Sequence, residues 1–233
     1  MSTLLIRLAA PIQSWGADSK FERRLTLRVP TKSGVIGLLA SALGRQREDS
    51  LDDLVALRFG VRTDQPGQLL RDFHTARDRE DRPPYVTERY YLSDAVFLAA
   101  VEGEATLLNA LDDALNNPVY PIYLGRRSCP PEGKISLGVR QTNLETSLRE
   151  APWQASQWFQ NRHKIDEYIP HFVIDAVSPG LSRSRDNPIS FSQINRKYGF
   201  RYIDTAMDGV VRFGGVDKTL LETNHDPFTG MEG

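Results

Sequence analysis

Apolar side chains fall into short runs along the 233-residue chain, and the spacing within each run sets the element it predicts. Residues 3–9 (TLLIRLA) are almost wholly apolar and are closed by Pro11, which reads as a buried strand. Residues 13–30 are polar, aromatic and arginine-bearing without a clean period, so they predict a long loop with a short edge strand around residues 24–28. Residues 35–44 (VIGLLASALG) then mix apolar and small side chains as a buried helix does, with Gly44 as its C-terminal cap. A second helix is expected over residues 50–57, with Ser50 as N-cap and Asp52 and Asp53 in the first turn, where the helix dipole favours negative charge.

Residues 59–63 and 69–75 alternate as strands do, and the turn formers of residues 64–68 between them predict a hairpin. Residues 76–87 (ARDREDRPPYVT) hold too few apolar side chains to join a core and read as an exposed excursion. Strand character returns at residues 88–92 and 95–101, and residues 104–116 place Leu107, Leu108, Leu111 and Leu115 on one helical face. Beyond a proline-framed segment at 118–131, strands are expected at 134–140, as a pair at 165–169 and 172–177, and at 199–203, with an aromatic cluster at 153–159. The last 15 to 20 residues, roughly, have the composition of a disordered or partner-dependent tail. This order of elements is compatible with a ferredoxin-like sheet carrying helices on one face, as it is with other α+β arrangements.

Composition narrows the setting. No run of about 18 apolar residues occurs and the N-terminus lacks a leader pattern, so a soluble, cytoplasmic chain is expected. The single cysteine, Cys129, excludes an internal disulfide and a cysteine-clustered zinc site. A net charge of -1 is low for a nucleic-acid binder, but six acidic residues fall from Asp204 onward, and residues 1–203 carry 27 basic against 24 acidic. Of the 29 basic residues 23 are arginine, which suits phosphate and base stacking and equally reflects a GC-rich genome.

Three groups of residues carry candidate chemistry. Thr31, Lys32, Ser33 and Gly34 open a helix, where free N–H groups, two hydroxyls and a lysine make an anion site for a phosphate. The order is not that of a Walker A loop, and the same spacing suits a capped, closely packed helix. Arg126 and Arg127 sit in a restrained loop and either grip successive phosphates or form a solvated basic turn. Arg23, Arg24 and Arg28, near Trp15 and Phe21, mix charge with stacking surface as single-strand RNA binders do, although a lone tryptophan also suits a core. Enzymatic chemistry would centre on His74, with Lys32, Tyr85, Tyr90 and Tyr91 as other acid–base groups for metal-independent RNA cleavage; His74 equally suits stacking or one structural hydrogen bond. His163, His171 and His225 are too far apart for a metal-binding motif, so no metal or other cofactor is expected.

Four segments in order, residues 8–16 (LAAPIQSWG), 30–39 (PTKSGVIGLL), 71–75 (RDFHT) and 123–130 (YLGRRSCP), resemble the Cas-five family of CRISPR proteins, type I-E subtype. Residues 88–95 (ERYYLSDA) are similar to the strand after that family's protruding thumb, and the charged excursion falls where the thumb would be. The resemblance implies an α+β, RAMP-type ferredoxin-like (RRM-like) core over residues 1–142, with the thumb at 76–87. A smaller β-rich part at 143–208 and a tail at 209–233 would follow. It further implies a non-catalytic subunit of the Cascade complex that caps the 5′ handle of the CRISPR RNA, contacts the backbone and large subunits, and meets target DNA only through the complex. Under it Thr31, Lys32, Ser33, Gly34, Arg126 and Arg127 would hold handle phosphates, and Gln13, Trp15, Arg23 and His74 would read or stack bases, beside Arg24, Arg28 and Arg71. The related type I-C protein cuts repeat RNA itself, which leaves a metal-independent endoribonuclease as the alternative.

Overall fold

The computed structural model describes residues 1–16, 23–77, 85–163, 168–180 and 182–205. The first part of the chain forms β1 (Ser2–Ala9), β2 (Ile12–Gln13), β3 (Arg23–Arg24), α1 (Lys32–Ala42), α2 (Asp52–Val55), β4 (Arg58–Gln65), β5 (Gln68–Ala76), β6 (Tyr85–Ser93), β7 (Val96–Gly103) and α3 (Ala105–Asn116). It is followed by β8 (Ser136–Arg140), α4 (Leu144–Glu150), α5 (Gln157–Arg162), β9 (His171–Asp175), β10 (Arg183–Ser190) and β11 (Lys197–Asp204). Seven strands pair in the order β10-β11-β9-β4-β7-β1-β8, every neighbouring pair antiparallel. A smaller sheet holds β2, β6 and β3, with β5 paired to β6. The chain is thus α+β, with an antiparallel large sheet and a smaller sheet that is antiparallel except for the parallel β3–β6 pair.

The apolar runs are explained by burial on both faces of the large sheet. On β1, Leu4, Ile6 and Leu8 join the core that α1 and α3 cover, with Leu38, Leu39, Leu108 and Leu111 among it. Leu5 points the other way, with Leu98 and Ala100 of β7, onto Leu144 and Leu148 of α4 and Phe172 and Ile174 of β9. Because successive strand side chains alternate faces, a strand covered on both sides must be apolar at nearly every position. At the end of α1, Gly44 takes φ +79°. Its N–H donates to the Ser41 carbonyl (3.1 Å) and that of Arg45 to the Ala40 carbonyl (2.9 Å), the Schellman arrangement expected of a glycine there.

Several expectations are corrected. Residues 59–63 and 69–75 are strands but form no hairpin with each other: β4 pairs with β7 and β9, whereas β5 pairs with β6 along Gln68↔Ser93 to Ala76↔Tyr85. Burial decides this, since β4 is buried along nearly its whole length and β5 is largely exposed. Gly67, at φ +65°, turns the chain tightly against Ser93 and Ala95, where a Cβ would collide with the Ser93 carbonyl oxygen. The charged excursion is therefore the end of the β5–β6 hairpin, and its residues 78–84 lie outside the described residues.

The second helix is shorter than expected and starts later. Leu51 holds the N-cap position, and Ser50 Oγ accepts from the Asp52 N–H at 3.2 Å. Of the two strands expected around Pro170 the second is β9, paired to β4 and β11; most of the first, residues 165–167, lies outside the described residues, and the ring of Tyr168 stacks 5.1 Å from that of Trp153. Residues 164–167 and the tail from 206 lie outside the described residues.

The sequence reading also missed α4, α5 and β10. The N-cap bond of α4, from the Thr146 N–H to Asn143 Oδ1 at 2.8 Å, had a legible signal in Asn143 followed by Leu144 and Leu148. Strands β9, β10 and β11, all beyond residue 142, extend the same sheet as β1, β4, β7 and β8.

Candidate nucleic-acid interface

The helix start at Thr31–Gly34 does bind an anion, and the anion is part of the protein. Thr31 Oγ1 caps α1 by accepting from the Gly34 N–H (3.1 Å), and Ser33 Oγ donates to the same oxygen (3.3 Å). The Lys32 N–H donates to Asp186 Oδ2 (2.8 Å), and its Nζ reaches Asp175 Oδ2 (3.1 Å). Arg201 closes the network with two bonds to Asp186 (2.7 and 2.9 Å) and one to Asp175 Oδ1 (2.7 Å). Burial alone would raise the Asp186 carboxyl, but Arg201 and the Lys32 N–H outweigh it and hold the group below its ordinary range.

In this conformation the Lys32 N–H and ammonium and the Gly34 N–H are engaged within the protein, with a carboxylate from β10 at the start of the helix where a phosphate was expected, while Ser33 and Gly34 are half-buried. Gly34 serves close packing instead: a Cβ there would stand 2.9 Å from Trp15 Cε3.

Gln13 and Trp15 are likewise core residues, each 0% exposed. Trp15 Nε1 donates to Gln13 Oε1 (3.1 Å), and Gln13 Nε2 donates to the carbonyls of Leu8 (3.1 Å) and Ala95 (2.6 Å). A ring with no exposed surface offers no face to a base, so neither residue is available to a nucleobase in this conformation.

What these residues do is hold the surface loops in place. Trp15 bridges Leu27, with the Leu27 N–H donating to its carbonyl at 3.0 Å, and the Ser14 N–H donates to the Leu124 carbonyl at 3.1 Å. Gly125, at φ +87°, lies so close to the Ser14 carbonyl oxygen that any Cβ would overlap it. Arg126 turns inward, donating through Nη2 to the carbonyls of Arg24 (2.8 Å) and Leu25 (3.2 Å), with its guanidinium 4.7 Å from the Tyr91 ring centroid. The adjacent pair therefore splits into an internal tie, Arg126, and an exposed cation, Arg127.

The outcome is a basic surface knitted from three distant segments. β3 runs parallel to β6, with Arg23 beside Glu88 and Arg24 beside Arg89. Arg23, Arg24, Arg28 and Arg127 are exposed. Only Arg23 of these meets a carboxylate, Glu88 at 3.6 Å; Arg24, Arg28 and Arg127 make no ion pair among the described residues. Glu88 is mainly engaged by Arg71, whose hydrogen bond is the first cause holding that carboxyl below its usual range, and Tyr90 Oη donates to it at 3.2 Å. Arg71 also lies 4.5 Å from the ring centroid of Phe73, itself 57% exposed. His74 Nε2 lies 2.5 Å from Asp72 Oδ2 and remains partly exposed on the hairpin. Among the described residues no cluster of His, Cys, Asp and Glu is arranged to hold a metal ion, and no helix is long and apolar enough to cross a membrane.

Known proteins share this chain's sequence and fold. The "CRISPR system Cascade subunit CasD" of Escherichia coli (strain K12) is 38% identical over 163 residues, which is 61% of this chain and 73% of that protein. A solved structure described as "Crystal structure of Cas protein" matches with a TM-score of 0.70 and 37% identity, over 91% of this chain and 97% of its own. A chain of a "CRISPR RNA-guided surveillance complex" matches with a TM-score of 0.73 and 34% identity, over 88% and 89%. The family described as "CRISPR-associated protein (Cas_Cas5)" matches residues 3–204, nearly the whole described fold, and the chain belongs to it.

Proposed function

We propose that this protein is a non-catalytic RNA-binding subunit of a type I-E Cascade complex, holding the 5′ handle of the CRISPR RNA beside the terminal backbone subunit and the large subunit in the cytoplasm. The observation that carries the reading is the surface formed by Arg24, Arg28 and Arg127, three exposed guanidiniums that make no ion pair among the described residues, on segments fixed from beneath by Trp15 and Arg126. Fixed cations on a surface are what a phosphate backbone needs, since they bind without first being ordered. Similarity to a Cascade subunit and to a chain of an RNA-guided complex supplies the setting.

A ferredoxin-like, RAMP-type core is part of the proposal. Its support is the order β4-β7-β1-β8 with α1 between β1 and β4 and α3 between β7 and β8, the βαββαβ arrangement in which the β5–β6 hairpin is an insertion between the second and third core strands. That hairpin would be the thumb reaching along the guide toward the backbone subunit.

The non-catalytic part is supported by where the acid–base groups sit. Lys32 is tied into a buried ion pair, Tyr91 is 3% exposed, and His74 faces its own Asp72. Metal-independent cleavage requires a base and an acid converging on one phosphodiester. Incubating the purified protein with handle-bearing RNA and with repeat RNA in EDTA tests both readings. Saturable binding of handle RNA with no product is expected, and cleavage that disappears in His74→Ala would replace the proposal with an endoribonuclease.

A further inference from the structure

The β10–β11 hairpin presents a second basic and aromatic surface, at the edge of the large sheet, whereas Arg23 and Arg24 belong to the smaller sheet. Phe200 is 63% exposed and Tyr202 40%. The guanidinium carbons of Arg183 and Arg185 lie 5.4 and 5.9 Å from the Phe200 ring centroid, and Arg183 is the register partner of Tyr202. Both arginines are exposed, and neither makes an ion pair among the described residues. The hairpin's buried charges, Asp186 and Arg201, neutralise each other. What faces solvent is Arg183, Arg185, Arg196 and Lys197 against Asp204 alone, in a chain of net charge -1.

We propose that this hairpin is a second nucleic-acid contact, one that takes an extended single strand without regard to its sequence. Phe200 and Tyr202 supply faces on which bases stack, which is sequence-tolerant because every base has a π-face. Arg183 and Arg185, two residues apart on one strand and so about 7 Å apart along it, bridge consecutive phosphates. The exposed arginines keep the Phe200 ring flanked by charge. That arrangement suits a polymer alternating anion and ring better than an apolar protein surface, which would have to desolvate both guanidiniums without pairing them.

The full chain is tested by fluorescence anisotropy with labelled oligo-U and oligo-dT of roughly twelve nucleotides, a length within single-strand site sizes. Neither contains a handle, and the hairpin and loop variants separate the contribution of this surface from that of Arg24 and Arg127. Phe200→Ala should weaken binding about tenfold. Arg183→Gln with Arg185→Gln should make the slope of log K against log salt shallower by about 1.4, the contribution of two phosphate contacts to a single strand. A variant with Arg24→Ala and Arg127→Ala should retain the hairpin's share of homopolymer binding while losing affinity for handle RNA.

Tighter binding of oligo-U assigns the strand to RNA, and of oligo-dT to DNA; either supports the inference. It is overturned if the wild-type protein binds neither homopolymer, which would leave a protein partner as the occupant. It is also overturned if the arginine variant, melting at the wild-type temperature, binds with unchanged affinity and slope.

Discussion

Arg28 and Lys32 are four residues apart in the sequence and end in opposite environments. Arg28 is exposed on a loop without an ion pair among the described residues, whereas Lys32 is 6% exposed and bonded to carboxylates that arrive from β9 and β10. Both belong to segments that look suited to phosphate. The difference teaches that a helix N-terminus with a lysine is an anion site in general, and that the fold decides whether the anion is a ligand or one of its own side chains. The same division runs between Arg126, which ties two loops together, and Arg127 beside it. Chemistry able to bind RNA is also chemistry able to bind backbone carbonyls.

The largest effect is expected on removing the internal anion. Asp186→Ala leaves Arg201 and the Lys32 N–H buried without their partner, and it should cost about 3–5 kcal/mol of stability in chemical denaturation. The affinity of the folded fraction for handle RNA should be unchanged. A loss below about 1 kcal/mol would mean that the network does not hold these elements together.

The complementary change is Arg24→Ala, Arg28→Ala and Arg127→Ala together. It should leave stability within about 0.5 kcal/mol, because the side chains are exposed and make no ion pair among the described residues. The salt slope of handle binding should fall by about 2 if all three meet phosphate. An unchanged slope would remove these loops from the interface.

A smaller effect is expected from pH. The folded state holds Asp186 below its ordinary value of 3.8, so the group's contribution is fully present above that value and is lost as pH falls through the lower folded one. Glu145, lowered mainly by its hydrogen bond to Arg58, acts in the same direction from its ordinary 4.5. Urea titrations below pH 4.5 should show stability falling with acid, and Asp186→Asn should flatten the part below 3.8. An identical acid limb in that variant would show that other carboxylates control it.

Much of this was legible from local pattern. The β1 run, the α1 helix with its Gly44 cap, the amphipathic α3 and the β6 and β7 strands follow from spacing, because each is fixed by which of its own faces must be buried. The ordered motifs at 8–16, 30–39, 71–75 and 123–130 pointed to the family to which the chain belongs. The β4–β5 hairpin failed because a turn fixes direction but not pairing. Strand β4 found two buried neighbours, and β5 left for the smaller sheet.

Local spacing was enough to place most of the elements from β1 to β8, with their apolar faces and the arginine-rich loops, because each depends on neighbours a few residues away, whereas α4, α5 and β10 were not legible in it. Only the tertiary structure decided which polar groups remain free. Trp15 lies against Gly34, Asp186 lies 154 residues along the chain from Lys32 yet accepts its N–H at the start of α1, and Arg126 reaches back to the Arg24 carbonyl. The physical reason is that a buried charge or N–H must find a partner, and the partner is chosen by how strands far apart in sequence come to lie side by side.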